Sequence, residues 1–442
     1  MSGYRALLLG RCATLHRLTR WANIEREDTG LTITCGIDWA ESHHDVALVD
    51  EAGQLVGKRR ISDDAEGYRR LLELLAEAGD HAGDPIPVAV ETARGLVISC
   101  LRTTGRKVYS INPMAVARYR ERHRVTRAKS DHADAMALAN ILRTDAQAHR
   151  PLPADSELVQ AIAVLARAQQ DAVWNRGQLS NQLRSHLKQY FPAALTAFQV
   201  RGAGLDSREA RAVLAVAPDP ATAAKLSQTR LQAVLRKAGR QRYIDVWAER
   251  LRGVFAGEQL RQLPLVEQAM GRQTQALILQ LDAACRAAGE LAAATAEAFA
   301  QHPDAEILTS FPGIGPLTGA RVLGEIGDDR TRFDSARGLK SYSGSAPITV
   351  ASGKSLVVHQ RKVKNQRLAA AGYVWAFGAL PCPQIKMHYD RRREAGDKHA
   401  AALRNLFNRF LGCLYHCLHT GQSFDIDKAF PARAVQPEPV AA

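Results

Sequence analysis

Four carboxylates stand where a metal-dependent phosphoryl-transfer site would need them. Asp38 follows the apolar run Ile33-Thr34-Cys35-Gly36-Ile37, and Glu91 follows Pro87-Val88-Ala89-Val90. Asp131 and Asp134 stand three apart in Lys129-Ser130-Asp131-His132-Ala133-Asp134. An acid at the end of a buried strand is costly unless a cation pairs with it, so a hard metal ligand is the first reading of Asp38 and Glu91. Residues three apart share one helix face, with Cβ atoms about 5–6 Å apart. Oxygen ligands held on rigid elements suit Mg²⁺ and two-metal chemistry at a phosphate. Taken alone, Asp131 and Asp134 would read as acids offsetting a helix dipole. The cations just upstream, Arg118, Arg120, Arg122, Arg124, Arg127 and Lys129, shift that reading toward a site that receives phosphates. His43, His44 and His132 lie next to the acids; a supporting or substrate-contacting role is open to them, and ordinary surface histidines are the preferred reading.

The elements that must position these acids are legible as a pattern. Strands are expected at 33–38, 45–50, 57–62, 87–91 and 107–111, and helices at 65–79 and 96–104. Three early strands joined by short turns predict a meander, and the later ones, separated by helices, predict βαβ units. Asn112-Pro113 opens a helix that runs into the basic stretch, and Pro151 and Pro153 punctuate the end of this α/β part. Beyond it Leu158, Ile162, Leu165, Gln169, Ala172, Arg176, Leu179, Leu183, His186 and Tyr190 keep the alternating spacing of a coiled-coil seam. A second run, Leu277, Leu281, Ala284, Ala288, Leu291 and Ala298, is expected to return antiparallel to it. Between the two runs, 201–264 reads as short Arg-rich helical pieces with a turn at Pro218-Asp219-Pro220 and no catalytic pattern. Phe311-Pro312-Gly313-Ile314-Gly315 between helical stretches fits either a helix-hairpin-helix, whose backbone N–H groups meet a phosphate, or a plain αα-hairpin.

The chain has 442 residues, enough for two or three domains. Lys and Arg number 59 against 45 acids, a formal charge of +14, and the pI is near 9.6. That balance argues for a polyanionic partner. Lys354, Arg361, Lys362, Lys364 and Arg367, and farther on Lys386, Arg391, Arg392, Arg393 and Lys398, are expected nucleic-acid contacts. Seven cysteines form no paired framework, which fits a reducing cytoplasm. Cys413 and Cys417 share a stretch with Leu406, Phe410 and Leu414, so core packing is preferred to a zinc site. No apolar run is long enough to cross a bilayer. Residues 1–30 read as a basic N-terminal extension.

Gly36-Ile37-Asp38, Val90-Glu91-Thr92, Ile111-Asn112-Pro113, Lys129-Ser130-Asp131-His132-Ala133-Asp134-Ala135, Phe311-Pro312-Gly313-Ile314-Gly315 and Ser352-Gly353 follow one another in an order that resembles the DEDD transposases of bacterial insertion sequences, the IS-one-ten family. The similarity runs from about Leu31 to about Asp425. The resemblance implies a RuvC-like ribonuclease H domain over 31–152 and a coiled-coil arm over 153–305 carrying the 201–264 insert. It further implies a helical C-terminal transposase domain over 306–425, with 426–442 left as a disordered tail. It implies that Asp38, Glu91, Asp131 and Asp134 bind Mg²⁺, and that Ser352 is the nucleophile that becomes joined to DNA. Donor and target DNA, a guide (bridge) RNA and a second or fourth copy of the chain are the implied partners, in the bacterial cytoplasm at the nucleoid. The chain departs from the family pattern in following Glu91 with Thr92-Ala93-Arg94-Gly95, where a Thr-Gly pair is usual.

Other readings of the same residues remain open. Gly36-Ile37-Asp38 before a hairpin also opens the actin-like kinases, but Glu41, His43 and His44 in the following turn would oppose a polyphosphate. A hydrolytic Holliday-junction nuclease would use the same tetrad and leave Ser352 idle, and a nucleic-acid-binding protein would keep the fold without catalysis. Ser352 has no histidine in a triad arrangement nearby, and Ser343, Ser345 and Ser355 surround it.

Overall fold

The computed structural model describes residues 33–123, 131–199, 204–353 and 355–431. The expected basic extension, and Arg124, Arg127, Lys129 and Lys354, lie outside the described residues. The chain divides after Pro153 into two compact units.

In the first unit, β1 (Thr34–Trp39), β2 (His43–Val49) and β3 (Leu55–Ser62) form an antiparallel meander. Asp50 fixes the second turn by accepting from the N–H groups of Ala52 and Gln54, and Gly53 there takes a φ of +79°. Then come α1 (Ala65–Glu77), β4 (Val88–Val90), α2 (Leu96–Thr103), β5 (Val108–Ser110), α3 (Pro113–His123) and α4 (Asp131–Asp145). The sheet order is β3-β2-β1-β4-β5, with β4 parallel to β1 and β5 parallel to β4. Cys35, Ile37, Val46, Leu48 and Ile61 project from one face and are covered by Leu71 and Leu75 of α1 and Ile98 and Leu101 of α2. On the other face α4 lies directly on β1. A Cβ built on Gly36 would stand 2.0 Å from the Ala135 carbonyl oxygen and 2.5 Å from the Ala139 nitrogen, so only glycine admits the helix this close. This mixed five-stranded sheet with helices on both faces is consistent with a ribonuclease H-like domain.

The second unit is built on two long helices, α5 (Glu157–Tyr190) and α11 (Pro264–Ala300). Ser156 caps α5 by accepting from the Val159 N–H, and Pro264 starts α11 at a position where no N–H is needed. They run antiparallel. Ile162 and Ala166 near the start of α5 share a core with Phe299 at the end of α11, while Leu183 and Leu187 share another with Leu277 and Leu281. The expected seam holds at both ends. Between Ala172 and Leu179 it is only half-buried, because two helices alone cannot enclose it.

α6 (Pro192–Ala197), α7 (Arg208–Val216), α8 (Pro220–Ala224), α9 (Gln228–Lys237) and α10 (Ile244–Ala256) wrap the end of the pair where α5 finishes and α11 starts. The opposite end joins α12 (Ala305–Thr309), α13 (Pro316–Ile326), α14 (Ala336–Tyr342), the hairpin β6 (Ile348–Ser352) and β7 (Ser355–His359), α15 (Gln366–Gly378), α16 (Pro383–Glu394), α17 (His399–Thr420) and α18 (Ile426–Ala429). Two expectations are corrected here. The boundary expected at 305/306 is not a break, since Val159, Ile162 and Phe299 belong to the same core as Trp375, Phe407 and Phe410. The tail expected from 426 begins instead with α18, which ends on the buried Phe430; residues 432–442 lie outside the described part. Cys417 is buried in that core and Cys413 packs against it, and burial raises both thiols above their ordinary pKa, as core packing requires. No described helix is long and apolar enough to cross a membrane.

Candidate active site

The register of the sheet assembles the acids. Gly36 faces α4, and the Thr34 hydroxyl donates to the Ala139 carbonyl on the same side, so Asp38, two residues beyond Gly36, also projects toward α4. Asp38 is the cross-strand partner of Asp45, which places Asp45 on that face. On the other side Gly36 pairs with Ala89 and Ile37 with Val90, and Glu91 directly follows the end of β4. Going forward along β1 is going backward along α4, and the turn of α4 before Ala135 carries Asp131. One row across β2 and β1 therefore presents Asp45 and Asp38 beneath the first turn of α4, with Glu91 just past the end of β4.

His43, Asp45 and Asp131 offer ligand atoms that all lie within 4.8 Å of one another. Asp45 is buried and takes two hydrogen bonds from Arg60, Nε to Oδ1 at 3.2 Å and Nη2 to Oδ2 at 2.7 Å. The same Nη2 lies 3.6 Å from Asp131 Oδ2. Hydrogen bonding to Asp45 holds the Arg60 guanidinium above its already high pKa. Asp134, 3% exposed, accepts two hydrogen bonds from Arg120 Nη1, at 2.8 and 2.9 Å. The structure thus groups Asp131 with His43 and Asp45, places Asp38 on the α4-facing side of β1 and Glu91 just past the end of β4, and gives Asp134 a cation of its own. Arg120, expected as a phosphate contact, spends its charge on Asp134; Arg118 and Arg122 are exposed.

Hard carboxylate oxygens dominate the donor set, and His43 Nε2 is buried without a hydrogen-bond partner among the described residues. That combination fits a divalent cation. Asp45 and Arg60 escaped the sequence reading, and His43, read there as a surface histidine, is half-buried beside Asp45 and Asp131. Their signal was the short turn after Trp39, which sets the register that places Asp45 opposite Asp38.

Ser352 ends β6 and pairs with Ser355 across a two-residue turn whose Gly353 has a φ of +56°. Every residue described from Thr349 to Gln360 is exposed, including Val350, Leu356, Val357 and Val358, so Ser352 stands on a projecting hairpin. Ser343 and Ser345 are buried and committed: both hydroxyls donate to the Lys340 carbonyl, and Asn408 donates to Ser345. Lys362 is exposed, Arg361 is half-buried, and the stem of Lys364 lies against Gly344. Arg367 is corrected: it makes two 2.9 Å bonds to Asp171 and lies over the Trp174 ring, tying α15 to α5. The turn at Gly313, φ +81°, is filled by protein, with the Ala379 nitrogen 2.5 Å from where a Cβ would be and Trp375 Nε1 donating to the Pro312 carbonyl. In this chain the hairpin between α12 and α13 packs on α15.

Residues 35–192 match the family model of IS110 DEDD transposases, described as "Transposase", and residues 305–390 match "Transposase IS116/IS110/IS902 family". The "Mini-circle putative transposase for IS117" of Streptomyces coelicolor is 61% identical over 404 residues, covering 91% of this chain and 98% of that protein. The "Insertion element IS110 uncharacterized 43.6 kDa protein" of the same organism is 28% identical over 416 residues, 91% of this chain and 97% of its own length. The "Insertion element IS900 uncharacterized 42 kDa protein" of Mycobacterium paratuberculosis is 27% identical over 401 residues, 87% and 95% of the two chains. The row of acids under a helix, the two matched segments and the nearly full-length relatives agree: this chain is a transposase of the IS110 family of DEDD enzymes.

Proposed function

We propose that this transposase is an RNA-guided DNA recombinase that cuts and rejoins strands at a RuvC-like acidic site, with a covalent serine–DNA intermediate. The observation that carries the reading is Asp38 on the α4-facing side of β1, under the turn of α4 that bears Asp131, with Glu91 just past the end of the neighbouring β4. These four residues would hold Mg²⁺, with Asp134 exchanging its Arg120 contact. The metal would polarise a phosphoryl oxygen and stabilise the charge that develops on it. Asp45 and Arg60 brace Asp131 at the rim of the same face.

Ser352 supports the second half of the proposal by its exposure at a hairpin tip, where a strand of DNA has access. In cleavage the Ser352 Oγ–P bond forms, a phosphodiester P–O bond breaks, and the serine proton ends on the displaced sugar oxygen. Rejoining is the reverse, with a sugar hydroxyl of the new strand displacing Ser352. The phosphoester energy is kept throughout, which hydrolysis would lose. Exposed Arg118, Arg122 and Lys362 are assigned to phosphates of the donor and target DNA or of a bridge RNA. A homodimer or homotetramer is the proposed working form.

The test is a denaturing gel of stalled reactions with Mg²⁺, donor and target DNA, and guide RNA. Wild type should give a DNA-shifted protein band. Ser352→Ala should lose the band and strand exchange while still binding nucleic acid, and Asp38→Asn should lose cleavage. Cut DNA with free ends and no protein adduct would establish the hydrolytic nuclease instead. An adduct persisting in Ser352→Ala would move the nucleophile to Ser355. Exchange that survives removal of the RNA would remove the guide.

A further inference from the structure

The helices wrapped around the end of α5 have no place in the chemistry above, yet their surface is specialised. Between Gly204 and Ala256 there are ten Lys and Arg against five acids, and Arg236 to Tyr243 holds four cations and no acid. Tyr243 joins α9 to α10 and is 74% exposed. Among the described residues it is the single non-glycine with a positive φ, at 55°. A left-handed tyrosine is strained, and strain persists where the surroundings enforce it.

The surroundings do enforce it. Gly239, φ +93°, closes α9, and the Arg240 N–H bonds back to the Leu235 carbonyl. The Arg240 guanidinium lies 4.0 Å over the Trp247 ring and bonds Glu209 at 3.1 Å, while Arg250 approaches the same ring at 5.3 Å and donates to the Ala197 carbonyl at 3.0 Å. The base of the loop is therefore fixed, and its tip carries an aromatic ring beside a shallow depression lined by Arg236, Gln241, Ile244, Asp245 and Val246. Arg236, Lys237 and Arg242 are exposed around it.

We infer that the Gly239–Tyr243 loop is a contact for single-stranded nucleic acid, in which Tyr243 stacks on an unpaired base and Arg236, Lys237 and Arg242 meet the flanking phosphates. An exposed ring accepts any base face, and cations alongside follow the backbone; this is the arrangement by which strands are held without sequence preference. The inference stands apart from the acidic site, since it involves binding alone.

The experiment uses the full-length protein in EDTA with fluorescent 12-nucleotide DNA and RNA strands and a matching duplex. Tyr243→Ala should weaken single-strand binding about tenfold and leave the duplex unchanged, while Tyr243→Phe should match wild type. Tyr243→Gly should bind as weakly as Tyr243→Ala and melt at a higher temperature than wild type, because glycine relaxes the left-handed position. Arg242→Ala should lower the salt slope. A strand carrying 5-iodouracil should crosslink to Tyr243 on irradiation, and whichever of RNA or DNA crosslinks more is the strand this loop holds. Unchanged single-strand affinity in Tyr243→Ala, an equal loss for duplex, or no crosslink at Tyr243 would overturn the inference. Asp38→Asn should behave as wild type throughout, which separates a failure here from a failure of the cleavage site.

Discussion

Arg60 reaches Asp45 at 2.7 Å and Asp131 at 3.6 Å, so its guanidinium already partly neutralises two carboxylates of the candidate metal group. A cation already present competes with one arriving. Arg60→Gln is expected to lower the Mg²⁺ concentration that half-saturates cleavage several-fold, and a metal titration reads it directly; an unchanged midpoint would place Arg60 outside the competition. Asp38→Ala removes a proposed metal ligand and no phosphate-binding cation, so cleavage should fall at least about a thousandfold with binding kept, since loss of a metal ligand withdraws several kcal/mol of transition-state stabilisation. At this scale the sequence disclosed what depends on neighbours along the chain. The positions of Asp38 near the end of β1 and of Glu91 just after β4 were legible because each ends an apolar run. Asp45 was not, because it begins its run, and only the pairing of β1 with β2 reveals which face it shares. The commitment of Arg120 and Arg367 to Asp134 and Asp171 was equally hidden, since ion pairs between elements leave no periodic trace.

Gly36 decides whether α4 can lie on β1, and with it where Asp131 and Asp134 stand. Because the atoms in the way are backbone, Gly36→Ala is expected to cost about 3 kcal/mol and to abolish cleavage together; urea denaturation and the strand-cutting assay check the two halves. In the second unit Glu325 of α13 is buried and takes bonds from Arg167 of α5 at 2.7 and 3.0 Å and from Asn365, the cap of α15, at 2.6 Å. Glu325→Ala strands these donors and should cost about 2–3 kcal/mol, the lower part of the usual range because Arg167 is partly solvated. A change within error on urea denaturation would mean the three helices are held by their apolar contacts alone. The elements themselves were largely readable. All five strands of the first unit and its first two helices fall within a few residues of expectation, since alternation and 3.6-residue periodicity are local properties. The middle of the α5 seam was less so: Ala172 to Leu179 keep coiled-coil spacing without the third wall that would bury them.

With a formal charge of +14, the chain as a whole should bind polynucleotides in a strongly salt-dependent way. If about six phosphates are neutralised, affinity should fall roughly a thousandfold between 50 and 200 mM salt, because each contact releases counterions. A flat titration would contradict the electrostatic basis of DNA and RNA binding. The charge and the two long helices were visible in the sequence. The shared core of Ile162, Phe299 and Trp375 was not, because it is assembled from segments more than a hundred residues apart. Those two helices have one more consequence. α5 alone is 34 residues, roughly 50 Å of nearly rigid rod, with Tyr243 and its arginines gathered at one tip and the core that bears Ser352 at the other. The second unit is thereby a caliper: any strand gripped at both jaws must bridge roughly 50 Å, and protection from nuclease should come as two patches separated by that length rather than as one continuous footprint.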